Sequence, residues 1–204
     1  VVIDAWTGDR EMALRLVYTR GQEGGGAPTG LAMGGPLPPK TARQQANGLS
    51  VLTLDRGYPA DIAERAPWLL LGAKTVSYAI NMAALRHAES QGMDDVIFTA
   101  GDGSVLEGPT STVVIADGRT LRTVPPSHGI LPGTTQIALF RAAEAADWTV
   151  KVEPLSMDDL YAADSVWLVS SIRRIAQVHS INGRTLTTSA DLHREITELY
   201  EGQY

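Results

Sequence analysis

The rhythm of apolar and polar residues changes along the chain, and each change predicts an element. Residues 12–20 (Met-Ala-Leu-Arg-Leu-Val-Tyr-Thr-Arg) alternate and are rich in β-formers, which predicts a strand. Gly24-Gly25-Gly26 predicts a flexible turn, with Leu31–Met33 as the return strand. Gly34-Gly35-Pro36-Leu37-Pro38-Pro39 can sustain neither a helix nor an interior strand, and so predicts a break. Ser50–Leu54 reads as a short strand. The apolar run from Trp68 to Ile80 passes through Lys74 into a helix that ends near Gln91. Ile80, Ala84, Leu85 and Ala88 share one helical face, and Gly92 stops the helix.

Beyond this point strands and helices mix. Asp95–Ala100 predicts a strand and Asp102-Gly103 a hairpin turn. Val105–Glu107 and Ser111–Ala116 predict the returning strand, interrupted at Gly108-Pro109. A second Asp-Gly, at 117–118, turns into Thr120–Thr123. The proline-rich loop 125–133 then leads to a helix over about Thr134–Asp147. Strands at Val150–Val152, Ser165–Val169 and Ile175–Val178 follow, with a short helix at Met157–Tyr161, an Asn182-Gly183 turn and a last helix over Asp191–Tyr200. Hairpins alongside separate helices predict an α+β fold rather than a regular βαβ array. The break divides the chain into a small N-terminal part (1–35), a linker (36–40) and a main domain (41–204).

Composition narrows the function. With 204 residues, 44% hydrophobic and 20% charged, the chain has ordinary globular proportions. A net charge of −6 with no basic cluster gives no support for nucleic-acid binding. The chain has no cysteine, and its four histidines (His87, His128, His179, His193) have no ligand-like spacing, so neither disulfides nor a metal site is expected. No apolar segment approaches the roughly 20 residues of a membrane span, and no signal peptide is visible. A cytoplasmic enzyme is the expectation.

The candidate chemistry begins at Lys74, one of only three lysines (Lys40, Lys74, Lys151). An ammonium among aliphatic side chains is costly to keep charged, and a neutral amine attacks carbonyls. Lys74 is therefore a Schiff-base candidate with a cofactor aldehyde as its natural partner. The plain alternative is a lysine whose stem packs while its head reaches water. Gly133-Thr134-Thr135 stands where a loop enters a helix, so its free amides, the helix dipole and two hydroxyls suit a phosphate. The alternative is an ordinary N-cap at Thr134. Ser170-Ser171 is a further hydroxyl pair at a strand end. Glu107 ends an apolar strand, either solvated or buried against a pyridine nitrogen that it keeps protonated. Tyr78 is placed either to hydrogen-bond a cofactor ring or to sit in the core.

Lys74, then Glu107-Gly108-Pro109-Thr110-Ser111, then Ile130-Leu131-Pro132-Gly133-Thr134-Thr135, in this order and spacing, resemble the class IV aminotransferase family. The resemblance spans about residues 12–185 and implies a fold-type IV pyridoxal phosphate domain, a β-barrel-like sheet with flanking helices, joined to the remnant of a small N-terminal α/β domain. It implies that Lys74 holds pyridoxal 5'-phosphate covalently and shuttles a proton, and that Glu107 pairs with the pyridine nitrogen. Gly133, Thr134 and Thr135 would bind the phosphate, with Tyr78 and Ser111 as further cofactor contacts. Ser171 would touch the phosphate or a substrate carboxylate, with Ser170 beside it, and Arg20 would face the substrate. The implied partners are a small amino substrate and a second copy of the chain.

Within the family the chain most resembles 4-amino-4-deoxychorismate lyase, the alternative being an aminotransferase for D- or branched-chain amino acids. The departures are Thr112 and Ser77, where asparagine is common, and Gln136, where arginine is common. The family also has a substantial region ahead of the 12–20 strand that supplies a phosphate-binding arginine. The expectation is a truncated chain, and an inactive fragment is the lesser alternative.

Overall fold

The computed structural model describes residues 1–8 and 11–203, and the chain divides into two compact units, 1–41 and 42–204. In the first unit, β1 (Met12–Thr19) pairs antiparallel with β2 (Thr29–Pro36), Met12 opposite Pro36 and Thr19 opposite Thr29. The break expected from Gly34 onward is strand as far as Pro36. Pro36 is the last residue of β2, where a missing N–H disturbs no interior ladder. Only residues 37–39 separate β2 from α1 (Lys40–Asn47), a helix the alternation did not predict.

The second unit runs β3 (Leu49–Asp55), α2 (Ile62–Arg65), α3 (Ala79–Ser90), β4 (Asp95–Thr99), β5 (Thr112–Asp117), β6 (Thr120–Thr123), α4 (Thr134–Ala145), β7 (Thr149–Val152), α5 (Met157–Ala162), β8 (Ser165–Ser170), β9 (Arg174–Ile181), β10 (Arg184–Thr185) and α6 (Ala190–Glu201). One 8-stranded sheet orders these strands β4-β3-β9-β8-β5-β6-β7, with β10 paired to β9. β3 runs parallel to β4 and β9, and β6 parallel to β7; the remaining pairs are antiparallel. The fold is the expected α+β class, a curled half-barrel sheet with flanking helices.

Both faces of the sheet are buried, which explains why its central strands read as continuous apolar runs. In β5, Val113 and Ile115 join one core while Val114 and Ala116 join the other. In β8, Val166 and Leu168 face the first and Trp167 and Val169 the second. The second core is closed by Leu139, Phe140 and Ala143 of α4 and by Ile196 and Tyr200 of α6. Two-residue turns set the registers. Asp117 pairs with Thr120, and Asn182 (φ 51°) with Gly183 (φ 78°) adopts the left-handed conformation that a tight hairpin requires.

Two expectations need correction. Residues 105–107 and 111–116 do not form one returning strand. Leu106 N–H bonds to Phe98 O (2.9 Å) and Phe98 N–H to Glu107 O (2.8 Å), so the first piece folds back on β4. A turn closed by Gly108 N–H to Ser111 O (2.8 Å) then redirects the chain, and β5 pairs with β6 and β8 instead. The helix after Lys74 begins only at Ala79, and Ile80 lies exposed rather than on its buried face, which is Ala84 and Ala88.

Candidate active site

Three loops of the second unit converge. The first (70–78) carries Lys74, the second (107–111) links the β4 fold-back to β5, and the third (128–133) leads into α4. Gly72 has a φ of 78°, and an added Cβ would lie 2.7 Å from Ile130 O, so the first loop lies against the third with no room for a side chain. Gly133 has no side chain where one would collide with Thr112 Oγ1, so the third loop packs on the start of β5. The side-chain amide of Asn81, in α3, donates to Pro109 O and holds the second loop to the helix that follows Lys74.

Glu107 joins the second and third loops. Its Oε2 accepts from Leu131 N–H at 2.9 Å, and its Oε1 lies 3.9 Å from Arg56 Nη1. Burial pushes the carboxyl up to about 7, opposed by the Leu131 amide and by the charges of Arg56 and Lys74. A carboxyl poised near neutrality inside a site is the expected signature of a functional group. Ser111 Oγ is buried beside this turn with no hydrogen-bond partner among the described residues.

Of the two placements weighed for Lys74, an amine out of water and a head that reaches solvent, the structure has the second. Its flanking side chains turn outward, Trp68 being 74% exposed and Val76 75%, so the lysine itself is exposed. The apolar run does not wrap it because Pro67–Leu69 forms a 3-10 turn and Leu70 adopts a left-handed conformation (φ 54°), which carries these side chains away from the core. Lys74 Nζ donates to Tyr78 Oη at 3.0 Å.

The α4 N-terminus also differs in detail. Gly133, not Thr134, is the N-cap residue, and among the described residues no side chain caps the helix. The first intrahelical bond is Ile137 N–H to Gly133 O (3.0 Å), so the amides of Thr134, Thr135 and Gln136 lie ahead of it. Thr134 is exposed and Thr135 buried. An uncapped helix start, a glycine that admits close approach, an unpartnered buried hydroxyl at Ser111 and a near-neutral carboxyl form a donor set that fits a phosphorylated pyridine aldehyde.

The β5–β8 ladder pairs Thr112 with Val169, which brings Ser170 alongside Ser111 at the same end of the sheet. Ser170 Oγ accepts from Arg173 N–H (3.4 Å), and Ser171 is exposed in the turn that follows. Arg20 belongs to the first unit, just after β1, and is exposed. Sequence reasoning missed Arg56 and Asn81. Arg56 ends an apolar strand as Glu107 does, and that shared signal marks it.

A curled mixed sheet with lysine, glutamate and a bare helix N-terminus gathered by its loops defines a class of cofactor enzyme. The family model described as amino-transferase class IV matches residues 4–181, and the chain belongs to that family, whose members use pyridoxal phosphate. The chain is 49% identical over 197 residues to the bifunctional aminodeoxychorismate lyase / D-amino acid transaminase of Mycobacterium tuberculosis, covering 92% of this chain and 68% of that protein. A solved aminotransferase from the same organism in its PLP-bound form superposes with a TM-score of 0.90 at 48% identity, over 94% of this chain and 67% of that one. A fold IV transaminase from Curtobacterium pusillum superposes at 0.85 and 41%, over 93% and 65%. The chain thus spans about two thirds of the length of these relatives.

Proposed function

We propose that this chain carries the site of a pyridoxal phosphate-dependent 4-amino-4-deoxychorismate lyase, which releases pyruvate and 4-aminobenzoate for folate synthesis. The observation that carries the reading is the tie between Glu107 and the loop that builds the bare N-terminus of α4, beside the loop of Lys74. The cofactor supplies an aldehyde for an amine and a ring that takes up electron density. Lys74 would hold that aldehyde and would serve as the base for the proton on the substrate ring carbon. Glu107 would hold a proton on the pyridine nitrogen. The amides and hydroxyls of Thr134 and Thr135, with Gly133, would bind the phosphate. Tyr78 would orient Lys74 through the bond it already makes, Ser111, Ser170 and Ser171 would contact phosphate or substrate carboxylate, and Arg20 would serve the substrate. A homodimer in the cytoplasm completes the proposal.

The second reading, transfer of amino groups to or from D-amino acids, is favoured by the double activity named for the relative from Mycobacterium tuberculosis. The two readings use the same residues at the cofactor. Purified protein is incubated with pyridoxal phosphate, reduced with borohydride and mapped by mass spectrometry. The pyridoxyl group is expected on Lys74, and a label on Lys40 or Lys151 instead would overturn the site. Pyruvate formed from aminodeoxychorismate without a keto-acid acceptor supports the lyase, whereas strict dependence on an acceptor supports the transaminase.

A further inference from the structure

Arg56 is the most deeply buried cation at the site, its side chain only 9% exposed. It follows directly after β3 and reaches across to the loop ahead of α4. Its Nη1 donates to Gly129 O at 2.9 Å and its Nη2 to His128 O at 3.1 Å. Gly129 has a φ of 69°, and an added Cβ there would stand 3.0 Å from Leu71 Cβ and 3.4 Å from Arg56 Nη2, so the guanidinium is packed against the bend itself. The same Nη1 stands 3.9 Å from Glu107 Oε1, while the other Glu107 oxygen holds Leu131 N–H. One planar cation therefore touches two consecutive carbonyls of the third loop and faces the carboxylate that grips the same loop two residues later.

This burial is costly. Arg56 Nε is buried with no acceptor among the described residues, and burial lowers the guanidinium's hold on its proton, with Glu107 and Tyr58 opposing. A loop tie alone needs no charge, since neutral donors hold carbonyls without this desolvation. A charge is needed if the partner is to remain a carboxylate in a buried site.

We propose that Arg56 is a positioning residue that sets a buried positive charge against Glu107 and fixes the His128–Leu131 loop, so that one buried cation aligns the group for the pyridine nitrogen with the helix start for the phosphate. The proposal rests on the assignment of Glu107 and α4 to the cofactor made above. The charged groups facing Glu107 are Arg56 and Lys74, and Tyr58 faces Arg56.

The test compares wild type, Arg56→Lys and Arg56→Met in the full chain, by two measurements. The first is the titration of the Glu107 carboxyl by carbon NMR in the absence of cofactor, its signal identified by its loss in Glu107→Gln. In Arg56→Met the midpoint is expected to rise by at least about one unit, and Arg56→Lys is expected to restore most of it, because an ammonium keeps the charge. The second is equilibrium binding of pyridoxal phosphate. About tenfold weaker binding is expected in both variants, because an ammonium does not reproduce a planar fork on two carbonyls. If Arg56→Met does not fold, Arg56→Gln takes its place, keeping an amide for the carbonyls and lacking the charge. An unmoved Glu107 midpoint, or unchanged cofactor affinity in the variants, overturns the role of Arg56. Failure of the functional reading is distinguishable, because wild type itself would then carry no pyridoxyl label on Lys74, while the cofactor-free titration would still decide whether Arg56 holds the charge of Glu107.

Discussion

Glu107 shows at the residue scale how a site is held against the preference of its own groups. Its folded carboxyl titrates near 7, well above the ordinary glutamate range, with burial as the main cause. A raised carboxyl gives stability that is complete below the unfolded value and is lost as pH rises through the folded one. The cofactor-free protein therefore loses stability from Glu107 between about pH 4.5 and 7, on the order of 3 kcal/mol in all. Glu107→Gln keeps an acceptor for Leu131 N–H and carries no charge, so it is expected to be more stable than wild type at pH 8, with the gain shrinking as pH falls towards 5. Urea unfolding at the two pH values checks this. Turnover should fall strongly in the same variant, because the group proposed to hold the pyridine proton is gone. Equal stability at pH 8 would mean that Glu107 is not buried as a charge. Lys74 teaches the opposite lesson. Its apolar neighbours in sequence suggested an amine out of water, yet they turn outward and leave it exposed.

At the element scale, the start of α4 and the docking of α6 each make a measurable claim. Because Gly133 caps α4 with no side-chain bond, the exposed Thr134 contributes no cap. Thr134→Ala should then leave stability within about 0.5 kcal/mol of wild type while weakening pyridoxal phosphate binding several-fold through loss of a hydroxyl donor. A clear loss of stability with unchanged affinity would return Thr134 to a purely structural role. α6 is tied to the sheet by Trp167, whose Nε1–H donates to His193 Nδ1 at 3.1 Å. That bond needs an unprotonated Nδ1, and burial lowers the His193 pKa. A lowered histidine gives stability present above its unfolded value, about 6.5, and lost as pH falls below it. Protection of the α6 amides, taken as exchange relative to the intrinsic rate at each pH, should fall below about pH 6.5, and His193→Gln should flatten that dependence. An identical pH slope in that variant would exclude the Trp167–His193 bond as its source.

At the scale of the whole molecule, a chain with Trp68, Leu70, Val76 and Ile80 exposed around Lys74 presents apolar surface beside its proposed reactive amine. In the homodimer proposed above, a second copy would cover part of that surface and dry the site. Sedimentation equilibrium is expected to give twice the 21.8 kDa chain mass, and a concentration-independent monomer would remove the dimer from the proposal.

Much of the fold was legible because it follows local rules. Alternation gave β1, buried apolar runs gave β4, β5 and β8, and the Asp-Gly and Asn-Gly turns gave their hairpins, since each depends on a few neighbouring residues. The order and spacing of Lys74, Glu107 and Gly133-Thr134-Thr135 carried the resemblance to the family, because an ordered set of short motifs is read along the chain without knowledge of its folded path. Tertiary structure alone decided which strands neighbour one another: β5 left β4 for β8 because the Gly108–Ser111 turn redirected it, and no local propensity encodes that pairing. It alone exposed Lys74 and moved the cap of α4 to Gly133. It alone brought Arg56 to the carbonyls of His128 and Gly129, more than seventy positions away in sequence, because the partners of a buried cation are fixed by the path of the whole chain and not by its neighbours along it.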